Sequence, residues 1–257
     1  MFPILQVGPL ALQLPGLFLL AGIWFATWLI DREAPRHTVS GAALNSLVFY
    51  GLIAGIVGAR LAYVSRYLSV YAENPLSVFS LNLSTLAPGE GVLVGLTIVL
   101  ILGRRRHLPL WRSLDALTPS LAAFAVFVGM AHLSSGDAFG ASSSVPWAVD
   151  LWGARRHPTQ VYEILLAILA FVGVWRLGRV RAFPGFLFLA WLALASASRL
   201  FLEAFRGDSV VAFDGLRGGQ LVSLGVLALA LTLVHQRARF ARDGLGEQHE
   251  GRSGSPT

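Results

Sequence analysis

The chain has 257 residues, of which 55% are hydrophobic and only 13% charged, and its mean hydropathy is +0.65. A soluble domain carries about 25% charged residues, so this composition excludes an ordinary soluble protein. The absence of cysteine excludes a disulfide, a thiolate nucleophile and a cysteine metal site. All 20 basic residues behind the net charge of +6 are arginines, and they concentrate in loops between apolar runs, which favours membrane topology over nucleic-acid binding.

Seven apolar runs predict an all-α polytopic membrane protein, since a helix needs roughly 17–25 residues to cross a bilayer. The third run is short and rich in glycine. The predicted spans are residues 10–30, 44–64, 89–102, 114–133, 161–177, 183–203 and 219–235. We expect one seven-helix membrane domain over residues 1–242, followed by a disordered cytoplasmic tail over residues 243–257.

The arginine distribution predicts how the spans are oriented. Most of the 20 arginines lie in the loops after spans one, three and five and in the C-terminal tail. The positive-inside rule therefore predicts a cytoplasmic C-terminus and an N-terminus outside the cell. Two long segments, residues 67–88 and 134–157, then lie on the outer face, where long ordered loops are often functional.

The densest run of polar side chains is Arg155–Glu163, at the start of the fifth span. His157, Gln160 and Glu163 are spaced three residues apart, so they lie close to one helical face with Tyr162 beside them. An interfacial anchor with a capping carboxylate would explain these residues. The alternative is a polar cluster at the mouth of a membrane site.

Arg60 lies near the outer end of the second span, among small residues that include Gly51, Gly55 and Gly58. The spacing of these glycines predicts close packing against another helix. A guanidinium within a span costs at least a few kcal/mol unless it is paired or hydrated. Arg60 could extend to the membrane surface, or it could hold a phosphate through two hydrogen bonds.

A second group of charges lies around the end of the sixth span. Arg199 and Glu203 are four residues apart, which predicts a structural salt bridge. The functional alternative is a carboxylate that orients an arginine toward an anionic headgroup. Gln220 begins the seventh span within a glycine-rich sequence, which is a weak signal by itself. No paired His/Asp/Glu motif indicates a metal.

These segments together resemble the prolipoprotein diacylglyceryl transferase family. The sequence HPTQVYE at residues 157–163 is similar to the family's H-P-[ST]-Q-L-Y-E motif. Three other segments resemble family segments in the same order along the chain: GARLAY at 58–63, RLFLEAFRGD at 199–208 and GQLVS at 219–223. The resemblance covers most of the chain and implies seven spans, an outward N-terminus and a place in a bacterial inner membrane.

The family's reaction moves the diacylglyceryl group of phosphatidylglycerol onto the cysteine thiol of a lipoprotein signal peptide. The implied partners are therefore phosphatidylglycerol, lipoprotein signal peptides and the bilayer, with no nucleic acid, cofactor or metal. Glu203 is implied to orient Arg206. The implied headgroup-binding residues are Arg60, Arg206, Arg199, Gln160 and Gln220, and the implied catalytic residues are His157, Tyr162, Glu163 and Glu203.

The chain departs from the family pattern in segments that carry its chemistry. In the segment 129–140, Met130 stands at the position of the signature's first arginine, and the signature's asparagines are missing. The segment before the third span lacks the family's histidine and contains Glu90. Glu90, Asp137 and His132 are therefore candidates to replace the missing base, so that Asp137 and Glu90 join the predicted catalytic residues.

Two alternatives to the transferase follow from these departures and from the composition. A lipid- or lipoprotein-binding paralogue could keep the scaffold without turnover. A small transporter or channel is disfavoured, because the charged residues gather on one face instead of lining a path through the middle of the membrane.

Overall fold

The structure is a computed structural model, and it describes residues 4–7, 10–80, 85–180, 182–209, 211–213 and 215–253. Within these residues the chain forms eight α-helices and three small antiparallel sheets of two strands each. The helices are α1 (Leu14–Glu33), α2 (Gly41–Arg66), α3 (Leu68–Glu73), α4 (Pro88–Arg105), α5 (Leu110–Ser135), α6 (Thr159–Leu177), α7 (Phe186–Glu203) and α8 (Gly218–Ser253). The paired strands are β1 (Ile4–Val7) with β2 (Leu10–Gln13), β3 (Val149–Leu151) with β4 (Ala154–Arg156), and β5 (Val211–Phe213) with β6 (Leu216–Arg217).

Each predicted span overlaps one long helix, and the all-α polytopic membrane fold is confirmed. Six helices in the described part of the chain, α1, α2, α5, α6, α7 and α8, are long and apolar enough to cross a membrane. Helix α4 has 18 residues, as α7 does, but it carries Glu90 in its first turn and Arg104 and Arg105 in its last. The crossing of the membrane by α4 therefore stays a prediction.

Two helices begin later than the sequence predicts. The first span was expected from residue 10, but residues 10–13 form β2 and α1 begins at Leu14, with Pro15 in its first turn, where proline is favourable. The sixth span was expected from residue 183, but Gly185 has a φ of 95° and α7 begins at Phe186. The hydrophobicity of the sequence alone does not reveal the later start of either helix.

Residues 31–113 form one compact unit, in which α2 packs closely against α4. A Cβ placed on Gly91 would lie 2.7 Å from the Cβ of Ala59, and one on Gly95 would lie 2.8 Å from the carbonyl oxygen of Gly51. The main-chain N–H of Ala87 also donates to the carbonyl of Ala59 (3.0 Å). The predicted packing role of the α2 glycines is confirmed.

Residues 1–30 and 114–257 form the second compact unit, in which α7 contacts both α6 and α8. Part of its core consists of Ala122, Val174 and Leu187, which are buried against Phe171 and Trp191. Asp115 is also buried and accepts hydrogen bonds from main-chain N–H groups at the start of α7.

Helix α8 extends to Ser253, so its backbone continues into the segment 243–257 that was predicted as a disordered tail. Residues 254–257 lie outside the described residues. The division into a membrane domain and a disordered cytoplasmic tail stays a prediction.

Candidate active site

The long segment between α5 and α6 is folded around the β3–β4 hairpin. Leu151 pairs with Ala154, and the two residues between them, Trp152 and Gly153, both have positive φ angles (54° and 73°). This is the geometry of a tight two-residue hairpin turn, which favours glycine at its second position. The segment can therefore hold side chains in fixed positions above the start of α6.

The first two residues of α6 fasten this segment to the helix. The Thr159 hydroxyl donates to the carbonyl of Ala138 (2.6 Å), and the Gln160 amide donates to the carbonyl of Asp137 (2.9 Å). Gln160 is completely buried, yet its Oε1 has no hydrogen-bond partner among the described residues, and the same is true of the buried Nδ1 of His157. A buried polar atom without a partner costs about 1–3 kcal/mol, which is typical of a site that awaits a ligand or water.

His157 and Tyr162 share an aromatic cluster with Phe205, which follows α7. The ring of Phe205 meets His157 edge-on at 5.2 Å and Tyr162 at 5.9 Å between centroids. The indole N–H of Trp147 donates to the Tyr162 hydroxyl (2.6 Å), which fixes that oxygen as an acceptor and leaves its proton available. The predicted neighbours His157 and Tyr162 are thus brought together.

The Glu163 carboxylate lies within hydrogen-bonding distance of a histidine of α5. Its Oε2 lies 2.9 Å from Nδ1 of His132, and the two side chains are 19% and 32% exposed, respectively. The contact joins the 157–163 motif to the 129–140 segment, where the sequence departs from the family pattern.

Glu203, at the end of α7, is almost completely buried and forms a salt bridge with Arg199 (2.6 Å). The predicted i,i+4 pair is therefore confirmed. The Ser209 hydroxyl donates to the other carboxylate oxygen. Gly219 packs directly on this carboxylate, and a Cβ there would collide with it, so the start of α8 requires a residue without a side chain.

The expected pairing of Glu203 with Arg206 is wrong. Arg206 instead binds Asp208 through two parallel hydrogen bonds (2.9 and 2.6 Å). The reason is that α7 ends at Glu203, and Arg206 lies beyond it in a β-bridge with Gly140. The two side chains therefore do not share a helical face, whereas Arg199 lies one turn before Glu203 on the same face.

Arg217, and not the Glu203 side chain, links the end of α7 to Arg206. Its guanidinium donates to the main-chain carbonyls of both Glu203 and Arg206. Gln220 accepts a hydrogen bond from the main-chain N–H of Arg217 (3.2 Å), so its carbonyl oxygen caps the start of α8. Gln220 therefore stabilises the turn before α8 in this structure.

Main-chain contacts join the segment after α7 to the segment before α6. Ala141 donates its N–H to the carbonyl of Phe205 (2.7 Å), and Gly207 donates to Phe139 (2.8 Å). Gly140 packs on the main chain of His157 so closely that a Cβ would collide with it. One unit thus contains nine of the predicted residues: Asp137, His157, Gln160, Tyr162, Glu163, Arg199, Glu203, Arg206 and Gln220.

Asp137 participates in this assembly mainly through its backbone. Its exposed carboxylate accepts a hydrogen bond from the Ser135 hydroxyl (2.7 Å), while its carbonyl receives the Gln160 amide. The sequence suggested a catalytic carboxylate at this position, and the contacts are those of a turn.

Arg60 and Glu90 belong to the other unit, where the Arg60 guanidinium holds the loop between α3 and α4. It donates to the carbonyls of Val78 (2.8 Å), Ser77 (2.6 Å) and Thr85 (2.9 Å), and also to the Thr85 hydroxyl. The ring of Tyr71 lies 5.5 Å from the guanidinium carbon. Most of the five N–H donors of Arg60 are therefore used within the protein.

Glu90 forms a salt bridge with Arg66, and both side chains are substantially exposed. Its position in the first turn of α4 also favours a negative charge. Within the described residues, no group of three or more histidine, aspartate or glutamate side chains is arranged to hold a metal ion.

Sequence reasoning missed Phe205, the role of Arg217 and the hydrogen bond from Trp147 to Tyr162. One signal for Arg217 was available: a positive charge directly before the N-terminus of a helix is unfavourable unless specific acceptors bind it. The other two contacts join residues that are distant in sequence, and no local pattern indicates them.

Comparisons with known proteins agree over almost the whole chain. A family model described as prolipoprotein diacylglyceryl transferase matches residues 3–236. Similar curated proteins include three phosphatidylglycerol–prolipoprotein diacylglyceryl transferases. That of Solidesulfovibrio magneticus is 31% identical over 248 residues, covering 91% of this chain and 93% of the relative. Those of Brucella anthropi (30% over 250 residues, 90% and 88%) and Enterococcus faecalis (29% over 255 residues, 91% and 92%) are comparable.

Proposed function

Because the chain belongs to the prolipoprotein diacylglyceryl transferase family, we propose that it transfers the diacylglyceryl group of phosphatidylglycerol to the lipobox cysteine of prolipoproteins. The observation that carries the proposal is the assembly of the 157–163 motif with the charged end of α7 in one unit. The apolar helices and the bacterial relatives make it a multi-pass bacterial membrane protein.

The reaction exchanges one bond to carbon for another. The substrate's cysteine sulfur forms a bond to the glycerol carbon that bears the phosphate ester, the carbon–oxygen bond breaks, and glycerol phosphate leaves. The protein must therefore bind an anionic phosphodiester, accept the thiol proton and stabilise the charge on the departing phosphate.

We assign the binding of the substrate phosphate mainly to Arg199. Its side chain is 46% exposed, and its ion pair with Glu203 uses Nη2, which leaves other N–H donors of the guanidinium for a ligand. The buried Glu203 fixes the guanidinium in place, so Glu203 acts as a positioning residue for Arg199 instead of Arg206. An oriented guanidinium binds phosphate through parallel hydrogen bonds.

Arg206 supplies a second positive charge close to the motif. Its side chain is 13% exposed and is neutralised in part by Asp208, so we assign it to long-range attraction of the headgroup and to the ordering of the segment after α7. The unpartnered Oε1 of Gln160 and Nδ1 of His157 are suited to polar atoms of the substrates. Tyr162 offers its hydroxyl proton beside them.

Asp137 and Glu90 are less suited to act as the base. Each carboxylate already accepts a hydrogen bond from a neighbour, Ser135 for Asp137 and Arg66 for Glu90. Headgroup binding by Arg60 and Gln220 stays a prediction, since the contacts of both residues in this structure stabilise loops.

The proposed location of the site is the outer face of the cytoplasmic membrane, with the N-terminus outside and the C-terminus in the cytoplasm. The loop charges support this orientation, because most arginines lie on the opposite side. Phosphatidylglycerol and exported prolipoproteins would then meet at the outer leaflet.

A transfer assay with purified protein in detergent tests the proposal. It uses labelled phosphatidylglycerol and a lipobox peptide, with Arg199→Ala as the variant and Arg176→Ala, at the opposite end of α6, as the matched control. We expect transfer by the parent and the control, and about a 10–100-fold loss in Arg199→Ala, since charge-assisted hydrogen bonds contribute about 1.5–3 kcal/mol. Binding of phosphatidylglycerol without any transfer by the parent would support the lipid-binding paralogue instead.

A further inference from the structure

We infer that His132 is the general base that accepts the proton of the acceptor thiol, and that Glu163 orients it. This inference rests on the proposed function, because it names the group that activates the nucleophile of that reaction. His132 lies in the 129–140 segment, and the sequence offered it, together with Glu90 and Asp137, as a candidate to replace the missing base.

The first support is the geometry of the pair. Nδ1 of His132 lies 2.9 Å from Oε2 of Glu163, a normal distance for a hydrogen bond to a carboxylate. A carboxylate accepts the Nδ1 proton, so the neutral ring must be protonated at Nδ1 and carry its lone pair on Nε2. The same arrangement orients histidine bases in nucleophilic catalysis.

The second support is the availability of Nε2. This nitrogen has no hydrogen-bond partner among the described residues, and the His132 side chain is 32% exposed. Glu163 is more buried, at 19% exposure, so the histidine is the more accessible member of the pair. A substrate thiol could therefore approach Nε2 without displacing a protein contact.

The third support is the position of the pair within the assembly. Glu163 follows Tyr162 in the first turns of α6, and His132 lies one turn before the end of α5. The other histidine of the motif, His157, packs against Phe205 and Gly140, and its Nδ1 is buried without a carboxylate partner. His132 therefore has the carboxylate partner that orients a base. His157 instead has the packing contacts of a residue that lines the site.

The proposed step balances as follows. The thiol proton moves to Nε2 of His132, and the resulting imidazolium is stabilised by the Glu163 carboxylate. The sulfur lone pair forms the bond to the glycerol carbon while the carbon–oxygen bond breaks, its electron pair leaving on the phosphate oxygen. The proton on Nε2 then passes to the departing phosphate, which restores the neutral ring.

The test compares two acceptor peptides that differ only in the nucleophile, cysteine or selenocysteine. A selenol is already ionised at neutral pH and does not need a base. The variants are His132→Ala and His132→Gln, the second of which keeps an N–H donor for Glu163. His235→Ala, on α8, is the matched control. Phosphatidylglycerol binding and the thermal midpoint of each variant are measured in the same detergent.

We expect both His132 variants to lose about 10²–10⁴-fold in transfer to the cysteine peptide, the usual contribution of general base catalysis. Transfer to the selenocysteine peptide should fall less than about tenfold if only that contribution is lost. Glu163→Gln should show an intermediate loss with the same dependence on the acceptor, and lipid binding should not change.

Two results would overturn the assignment of His132. One is full activity of His132→Gln on the cysteine peptide, and the other is an equal loss on both acceptors, which would indicate a structural role. Failure of the parent protein and of His235→Ala on both acceptors would instead contradict the proposed function, so the two failures are distinguishable.

Discussion

Asp115 is 5% exposed, and its two carboxylate oxygens accept the main-chain N–H groups of Gly185 (2.6 Å) and Phe188 (3.0 Å). These groups lie at the start of α7, where the helix has no side-chain cap of its own. A carboxylate from α5 therefore caps α7 and also complements the positive end of its dipole. Gln160 and Arg217 instead donate to main-chain carbonyls. All three side chains thus connect elements that are separated in sequence.

Replacing the Asp115 cap should destabilise the protein. We expect Asp115→Ala to lower the free energy of unfolding by about 1–3 kcal/mol, because one buried and one partly buried N–H group lose their acceptor. Asp115→Asn keeps one acceptor oxygen and should lose less. Thermal midpoints in detergent, followed by tryptophan fluorescence, would measure this. Glu73→Ala, an exposed carboxylate, is the control, and equal midpoints for Asp115→Ala and the parent would contradict the prediction.

Arg60 gives a second prediction at the scale of the residue. Arg60→Lys should free the loop at residues 67–88, because a lysine ammonium cannot bind three separate carbonyls at once. We expect cleavage by chymotrypsin within this loop to be about 10–100-fold faster, corresponding to the loss of charge-assisted hydrogen bonds. If the positive charge alone matters, as in simple headgroup attraction, Arg60→Lys would behave like the parent protein.

At the scale of the element, α2 and α4 associate through glycines. A Cβ on Gly91 would lie 2.6 Å from the carbonyl oxygen of Gly55, whereas one on Gly103, further along α4, would have only Leu47 nearby, at 3.8 Å. Membrane helices lack a hydrophobic driving force toward each other, so close backbone approach provides much of their attraction. The two glycines of α4 should therefore respond differently to the same substitution.

Gly91→Ala should destabilise the unit formed by residues 31–113, by about 1–3 kcal/mol, because the added methyl group forces the helices apart. Gly103→Ala should be neutral or slightly stabilising, since alanine favours the helix and meets no close atom. Urea or heat unfolding of both variants in the same detergent would measure the difference. A similar midpoint for the two variants would show that the α2–α4 contact tolerates expansion.

The sequence predicted the helices well because length and apolarity are sufficient to define a span. It misplaced the starts of α1 and α7, where Pro15 and Gly185 interrupt the backbone without changing hydropathy. It did not predict the β3–β4 hairpin, whose strands of three residues are too short to show a period of two. In the site, the local pair Arg199–Glu203 followed from spacing alone.

The spacing of residues along the sequence could not predict contacts between residues that are far apart in sequence. The Glu163–His132 pair joins two helices, and Arg206 turned to Asp208 because the helix had ended before it. Neither outcome has a local sequence signal. The family resemblance placed the right segments in order, and the structure was needed to assign their partners.

At the scale of the whole molecule, the natural absence of cysteine makes the orientation directly testable. Ser69→Cys lies in α3, and His107→Cys lies between α4 and α5. In spheroplasts, whose cytoplasmic membrane is intact and accessible from outside, a membrane-impermeant maleimide should label Ser69→Cys. It should label His107→Cys only after the membrane is permeabilised. The parent chain, which has no cysteine, is the control for background. The reverse pattern would contradict the outward N-terminus.

The bonds from Arg60 to the loop also bear on how this protein enters the membrane. While α2 is being inserted, residues 77–85 have not yet been synthesised or folded, and the guanidinium has none of the carbonyls that later surround it. An arginine that is neither paired nor hydrated is unfavourable within a span, which favours delayed or shallow insertion of α2. The loop and the glycine face of α4 arrive together and remove that cost. We therefore expect α2 and α4 to insert into the membrane together as one hairpin. The stable insertion of α2 would then depend on the hydrogen bonds between Arg60 and the loop carbonyls.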